Sequence, residues 1–437
     1  MLKLFEQKFV GDLTDYERSV LRHGAAWFFL VLASYYILRP IREQISSTYG
    51  IQNLSWLFWA TFIVMLVAIP TYSVLVGRFH RNKLVPCIYL FFIVTLLGFF
   101  VAMRYDTGDG STDGEPSAAA IWIARAFFIW ISVYGLFIVS FFWSVIGDML
   151  STTQGRKIFG VMAGGGTIGS LVGSQIASQL VSRIGIANLL LFPAICLALG
   201  LVVYASLERS YKKLAAESVE LRSGKATGGN PFAGFSSVFQ SRYLMAICLF
   251  GLMLATCGTT IYFQQAEIVD AAFTTDEAKT EYFANVNFCV SIVTLVFQFV
   301  IVGWLMKHVG LGWTLAMLPL AYILGISALA LSPTLAVLAV ISVTGRSAEY
   351  GICNPAREVL FTAVKREDRY KAKSFIDTVV RRGGDSMIGS VYKGLRESMA
   401  MSALSWMAVP IAVIWTGLAL FIGRENLRVA KQEADES

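Results

Sequence analysis

Long apolar stretches recur along the chain with short polar connections between them. They fall at 24–45, 54–77, 84–103, 118–147, 157–182, 186–207, 242–268, 283–306, 312–331, 335–361, 374–395 and 403–423. Each is near or above the roughly 20 residues an α-helix needs to cross the hydrocarbon of a bilayer. None shows the short period-two alternation of barrel strands. The pattern predicts an all-α integral membrane protein of about twelve transmembrane helices. The longest polar connection divides them six and six: residues 1–207 form an N-terminal half, 208–240 a cytoplasmic linker and 241–437 a C-terminal half. The linker carries Ser223-Gly224 and Gly228-Gly229, the composition of a flexible tether, and its Pro231, Phe232 and Phe235 are placed on the membrane surface.

Composition agrees with this. Only 15% of residues are charged, against about a quarter in soluble domains. The net charge of +7 would suggest nucleic acid in a soluble protein. Here the basic residues gather in alternate connections. Lys3, Lys8, Arg18 and Arg22 precede the first helix, Arg78, Arg81 and Lys83 follow the second, and Arg156 and Lys157 follow the fourth. Arg209, Lys212, Lys213, Arg222 and Lys225 lie between six and seven, and Lys365, Arg366, Arg369, Lys371 and Lys373 between ten and eleven. The opposite connections hold Asp106, Asp109, Asp113 and Glu115, then Asp270, Asp276 and Glu277. Both termini are therefore expected in the cytoplasm, with no nucleic-acid partner. The first twenty residues lack a cleavable signal pattern. The six cysteines sit in apolar stretches without metal or CxxC spacing and read as buried small hydrophobes. There is no Walker A sequence, nucleophile elbow or metal-ligand cluster, so neither an enzyme nor a cofactor is expected. His23, His80 and His308 fall at helix ends, where solvation is the simpler reading.

Charge inside the helices is the feature that needs an explanation. The first helix ends in Tyr36-Ile37-Leu38-Arg39-Pro40-Ile41-Arg42-Glu43. An arginine in hydrocarbon costs about 2.5–3.5 kcal/mol on insertion scales, and such residues face a bundle interior or snorkel to the headgroups. Arg39 and Arg42 share a helix face, Glu43 lies four residues after Arg39, and Pro40 frees the carbonyl of Tyr36. Helix ten carries Arg346, Glu349, Arg357 and Glu358; helix eleven carries Asp377, Arg381, Arg382 and Asp385; helix seven carries Gln264, Gln265 and Glu267; helix four carries Arg125 and ends in Asp148. In a two-fold bundle these helices can face one central cavity. Spacing pairs Arg39 with Glu43, Arg346 with Glu349 and Arg382 with Asp385. Such pairs either hold helices together or exchange partners during transport. Arg42 and Arg381 have no acid at that spacing and are the expected anion contacts, since a guanidinium grips phosphate or carboxylate bidentately.

Helix five reads Gly160, Gly164, Gly165, Gly166, Gly169, Gly173. Its Gly164-x-Gly166-x-x-Gly169 lacks the preceding strand that a dinucleotide site requires. Glycines every four residues instead predict close approach of a neighbouring backbone. Ser170, Ser174 and Ser178 form a second stripe, read as either lining a wet cavity or bonding helices together.

The two halves are weakly alike. Gly77-Arg78-Phe79-His80-Arg81-Asn82-Lys83 after helix two answers Gly303-Trp304-Leu305-Met306-Lys307-His308 after helix eight. Six plus six with a parallel repeat resembles the major facilitator fold. More specifically, the chain resembles the ATP/ADP translocase family of nucleotide transporters. The likeness rests on Tyr36 to Glu43, on Phe142-Trp143 through Asp148 to Arg156-Lys157, and on Pro355-Ala356-Arg357-Glu358 through Lys371-Ala372-Lys373-Ser374-Phe375-Ile376-Asp377 to Arg382 and Ser386. Four departures stand out: Arg42 and Arg357 occupy lysine positions, Pro40 replaces an acid, and Asp385 stands where the family has a lysine.

The resemblance implies a bacterial inner-membrane secondary transporter that moves an organic anion, a nucleotide or related phosphorylated metabolite, by ATP/ADP-type exchange and alternating access. It implies a monomer in contact with membrane lipids. Arg39, Arg42, Arg346, Arg357, Arg381 and Arg382 are the candidate anion contacts. Glu43, Asp148, Glu358 and Asp385 are the candidate partner-switching acids. Asp385 keeps open a proton-coupled carrier of another amphiphilic or sugar-containing anion. A membrane sensor or scaffold that moves no solute is the alternative outside transport.

Overall fold

The computed structural model describes residues 13–48, 50–105, 117–150, 152–215, 241–361, 372–373 and 375–436. Among these residues there is no strand. The helices are α1 (Asp15–Thr48), α2 (Gly50–Arg78), α3 (Arg81–Tyr105), α4 (Ala118–Met149), α5 (Thr152–Leu189), α6 (Leu191–Ala215), α7 (Arg242–Ala272), α8 (Asp276–His308), α9 (Leu311–Leu331), α10 (Leu335–Leu360), α11 (376–396) and α12 (Met401–Glu436). Among the described residues, ten are long and apolar enough to cross a membrane. The other two, α5 and α11, have the length but carry the glycine–serine stripe and a run of charges, respectively. The acids 106–115, linker residues 216–240 and loop residues 365–371 lie outside the described residues, as do the side chains of Arg156 and Lys157.

The arrangement of polarity reverses that of a soluble protein. Val67, Val94, Val202, Phe299, Leu324 and Val340 are each more than half exposed, whereas Ser34, Glu43, Gln44, Gln264, Asn287, Ser347 and Arg357 are buried. A bilayer covers the first set, and the second must find partners within the protein. Of the six cysteines, Cys257 and Cys353 are buried, but Cys87 and Cys289 face outward from the protein. A thiol is apolar enough to be tolerated there.

The chain folds into two compact units, each drawing on both halves of the sequence. Unit 1 comprises Met1–Arg42, Tyr72–Thr227 and Thr280–Phe288; unit 2 comprises Glu43–Thr71, Gly228–Lys279 and Cys289–Ser437. The chain passes from one to the other two residues after Pro40 in α1 and one residue after Pro70 in α2. Each proline removes a helical hydrogen bond, so these are the points where α1 and α2 bend most readily.

Unit 1 is built on close backbone packing. A methyl group on Gly165 would stand 2.8 Å from the carbonyl oxygen of Ala25, and one on Gly169 or Gly173 would run into the carbonyls of Phe29 and Ala33. Lipid offers no hydrophobic drive for helix association, so contact of this closeness supplies the van der Waals energy that holds α1 on α5. The serine stripe is buried rather than wet: Ser170, Ser174 and Ser178 are each 3% exposed or less. Ser178 donates to Asn285 of α8 at 2.7 Å. Trp27 is fully buried, donates from Nε1 to the Tyr89 hydroxyl at 2.7 Å, and packs on Phe142 and Tyr204.

Among its described residues, unit 2 contains three π-helical turns: Phe297–Ile301 in α8, Glu349–Cys353 in α10 and Ile376–Val380 in α11. Each inserts a residue, loosens the carbonyl ladder and re-aims the side chains that follow. The first two turns interlock. Gly351 has room for only a hydrogen where Phe297 approaches, and Gln298 donates to the Tyr350 carbonyl at 3.3 Å.

Candidate functional site

In unit 2 the π turns of α10 and α11 carry reciprocal ion pairs. Glu349 opens one turn, and its Oε1 accepts from Arg381 Nη2 at 2.8 Å. Asp377 lies in the other turn, and its Oδ1 accepts from Arg357 Nη2 at 2.7 Å. Each helix therefore gives one cation and one acid. Glu349 and Arg357 are separated by about 12 Å along α10, and Asp377 and Arg381 by about 6 Å along α11; the long guanidinium stems take up the difference. Further along, Lys373 Nζ reaches both carboxylate oxygens of the exposed Glu358 at 2.7 Å. Toward the middle of α10, Arg346 Nη1 stands 3.5 Å from Glu43 Oε1.

These pairings correct the expectation from spacing. Glu349 meets Arg381 of the neighbouring helix, so Arg381 has an acidic partner after all, and Arg346 of its own helix meets Glu43. Arg382, three residues before it, still acts on Asp385 through space, and Asp385 in addition takes a hydrogen bond from Thr259 Oγ1 of α7 at 3.0 Å. Spacing along one helix sees only i+3 and i+4 neighbours, and both π turns shift the register by which those neighbours are counted.

Arg357 is the most enclosed of these cations, 6% exposed. Among the described residues its Nη2 has an acceptor, whereas the buried Nε and Nη1 have none. A buried donor left unmet costs about 1–3 kcal/mol. The site therefore holds hydrogen-bonding capacity ready for an incoming acceptor. The exposed Arg382 lies next to Arg381 at the start of the regular α-helical part of α11.

The residues after Pro40 supply a face of the same unit. Phe58 packs on Tyr262 and Phe263 of α7 with ring centroids 5.5 Å apart. Its carbonyl accepts from Ser386 at 3.0 Å, and Ser390 bonds both Ser55 and the Trp59 indole. Gly383 leaves space for Phe62, and Gly389 for Phe263. Beyond Glu43, the buried Lys279 ammonium donates to Asp270 at 2.6 Å and to Thr48 at 3.3 Å, while Thr48 donates to Asp276 at 2.7 Å. Reading by sequence misses Lys279 and Thr259. Each stands in a polar stretch near a helix end or a threonine pair, and only its cross-helix partner distinguishes it.

Unit 1 holds its arginines differently. The Arg42 guanidinium lies 4.2 Å from the centroid of the fully buried Phe128 ring, and Arg39 lies 5.6 Å from that of Tyr36. A cation over a buried ring is turned into the protein, which removes snorkelling as the account of Arg42. Asp148 is exposed in the last turn of α4. Where α3 begins, Arg81 stands 3.5 Å from Glu208 and 4.4 Å from the Tyr211 ring.

A polytopic helical protein that is apolar on its lipid face and charged inside has the character of a membrane carrier. The family model of the Major Facilitator Superfamily matches residues 25–356, and the chain belongs to that superfamily. Among solved structures the chain is similar to a bacterial homologue of the human lysosomal transporter Spinster, in an inward-facing and unoccupied conformation. That match has 14% identity and a TM-score of 0.55, and covers 96% of this chain and 98% of the other. The chain is also similar to a point mutant of the nucleoside transporter NupG, at 12% identity and a TM-score of 0.54, covering 95% of this chain and 100% of the other. At these identities the likeness is one of fold. No curated protein sequence matches. Superfamily membership makes the chain a multi-pass membrane transporter rather than an enzyme.

Proposed function

We propose that this protein is a secondary active transporter of an organic anion, a nucleotide or related phosphorylated metabolite, working by alternating access as a monomer in a bacterial inner membrane with both termini cytoplasmic. The observation that carries the reading is Arg357, a buried guanidinium with two nitrogens, Nε and Nη1, that lack an acceptor among the described residues. Structural ion pairs satisfy their donors; a binding group keeps some in reserve. The ion pairs around it are suited to partner exchange. A solute phosphate can take Asp377's place on Arg357 or Glu349's place on Arg381, and the released carboxylate marks the site as occupied. Arg39, Arg42, Arg346 and Arg382 are the further anion contacts of this reading, and Glu43, Asp148, Glu358 and Asp385 its switching acids. The resemblance of 36–43 and 355–386 to nucleotide exchangers favours a nucleotide.

Asp385 favours a second reading. It is a carboxylate set among the helices and held by a neutral hydroxyl, an arrangement that suits a proton-binding group in a symporter.

Counterflow in proteoliposomes tests both. Vesicles loaded with unlabelled nucleotide or sugar phosphate should accumulate the labelled compound, and Arg357→Gln should abolish the exchange. Uptake that needs an inward proton gradient and ceases in Asp385→Asn would establish the symporter instead. No flux under either condition, with ligand binding retained, would mean a sensor.

A further inference from the structure

This inference rests on the anion-carrier reading and narrows it. In unit 2, Arg346 faces Glu43, Arg357 faces Asp377 and Arg381 faces Glu349. Asp385 adds a fourth carboxylate, one helical turn beyond Arg381 and three residues beyond Arg382, and Thr259 fixes it from α7. Among the described residues from 346 to 385 of α10 and α11, with Glu43 added and the Lys373–Glu358 pair set aside, four arginines (346, 357, 381 and 382) stand with four carboxylates (43, 349, 377 and 385). This cluster has no surplus of positive charge.

A polyphosphate needs such a surplus. The cost of taking an ion out of water climbs with the square of its charge, and neighbouring cations must meet that cost. Here a first phosphate can be met by the open donors of Arg357. A second or third would come within about one or two helical turns of Glu349, Asp377 or Asp385. Of these acids, Glu349 and Asp377 are joined to Arg381 and Arg357 by charged hydrogen bonds, whereas the hydrogen bond to Asp385 comes from an uncharged threonine and Arg382 and Arg381 act on it through space. Its charge is the most available to repel an approaching anion.

We infer that the carrier selects organic anions bearing a single phosphate group, and that Asp385 is the specificity-determining residue that turns away di- and triphosphates by repulsion. Rejecting a wrong ligand through a like charge is a general means of discrimination. Two unit charges about 6 Å apart at an effective dielectric near 20 repel by enough to weaken binding at least tenfold.

The test is calorimetric titration of the purified full-length protein with AMP, ADP and ATP at fixed ionic strength without magnesium. Glucose 6-phosphate and fructose 1,6-bisphosphate serve as a second one-against-two pair. The wild-type protein should bind each monophosphate at least tenfold more tightly than its more highly phosphorylated partner. Asp385→Asn, which keeps the side-chain shape, should shrink that ratio by about tenfold, and Asp385→Lys should reverse it. Wild-type binding of ATP or the bisphosphate as tight as that of the monophosphates would overturn the inference, and so would an unchanged ratio in a folded Asp385→Asn protein. Should the variants fail to fold, the wild-type order alone decides. Reversed order leaves the anion-carrier reading standing and removes only the charge limit. No binding of any probe, together with silent counterflow, overturns both.

Discussion

The two units solve the same problem, holding arginine inside a membrane protein, by different means. Unit 2 sets guanidinium groups against carboxylates: Arg357 on Asp377, Arg381 on Glu349 and Arg346 on Glu43. Unit 1 sets them on rings: Arg42 over Phe128 and Arg39 over Tyr36. A ring attracts a cation without itself cancelling the charge. A carboxylate cancels the charge and must be displaced before a solute anion feels it. The packing differs in the same sense. Unit 1 relies on glycine contacts between α1 and α5, which admit little adjustment. Unit 2 relies on π turns and long side chains, which can rearrange.

The contrast is tested most forcefully at Asp377. Asp377→Ala takes away the acid that Arg357 Nη2 meets; because Asp377 is 32% exposed, the loss should fall at the low end of the about 3–5 kcal/mol that breaking a buried pair costs. Thermal unfolding in detergent should show the largest loss in this variant, with Arg357→Met/Asp377→Ala recovering most of it. A single variant as stable as the double would mean the pair is not a buried ion pair in any useful sense. Next comes Gly169→Val in unit 1, which must push α1 from α5. Overpacking of this kind costs about 1–3 kcal/mol. Gly160→Val is the control, because a side chain there meets nothing within 4 Å. Equal losses at the two glycines would show that the tight seam does not hold α1.

Smaller effects refine the contrast. Phe128→Leu should weaken the seat of Arg42 by about 0.5–2 kcal/mol and lower affinity for the transported anion while leaving unit 2 ion pairs intact. Unaltered affinity would place Arg42 outside the binding function. The smallest change is expected for Ser178→Ala, which removes the bond to Asn285. Interhelical hydrogen bonds in membrane proteins average about 0.6 kcal/mol. A loss several times larger would mean that this bond organises α5 on α8.

Much of the architecture is readable from residue order. The apolar stretches and their lengths give the helices, because hydrocarbon thickness fixes how many apolar residues a span needs. The four-residue glycine rhythm of α5 announces a close backbone neighbour, though it does not name α1 as that neighbour. The charged residues of α1, α10 and α11 are visible as violations of apolarity. Their partners are not. Spacing matches Glu349 to Arg346, but a π turn begins at Glu349 and sends its carboxylate to Arg381. Lys279 looks like one more loop lysine until Asp270 and Thr48 enclose it. The unit boundaries near Pro40 and Pro70 are likewise hidden, since many prolines in membrane helices mark no boundary.

Residue order alone is enough for the membrane class, the helix lengths and the roster of intramembrane charges, because each depends on a local quantity: the transfer energy of consecutive side chains into lipid. Which acid answers which arginine, and that Arg357 keeps two donors in reserve, emerge once the helices are packed. Pairing between helices depends on rotation and depth, which no periodicity within one helix contains.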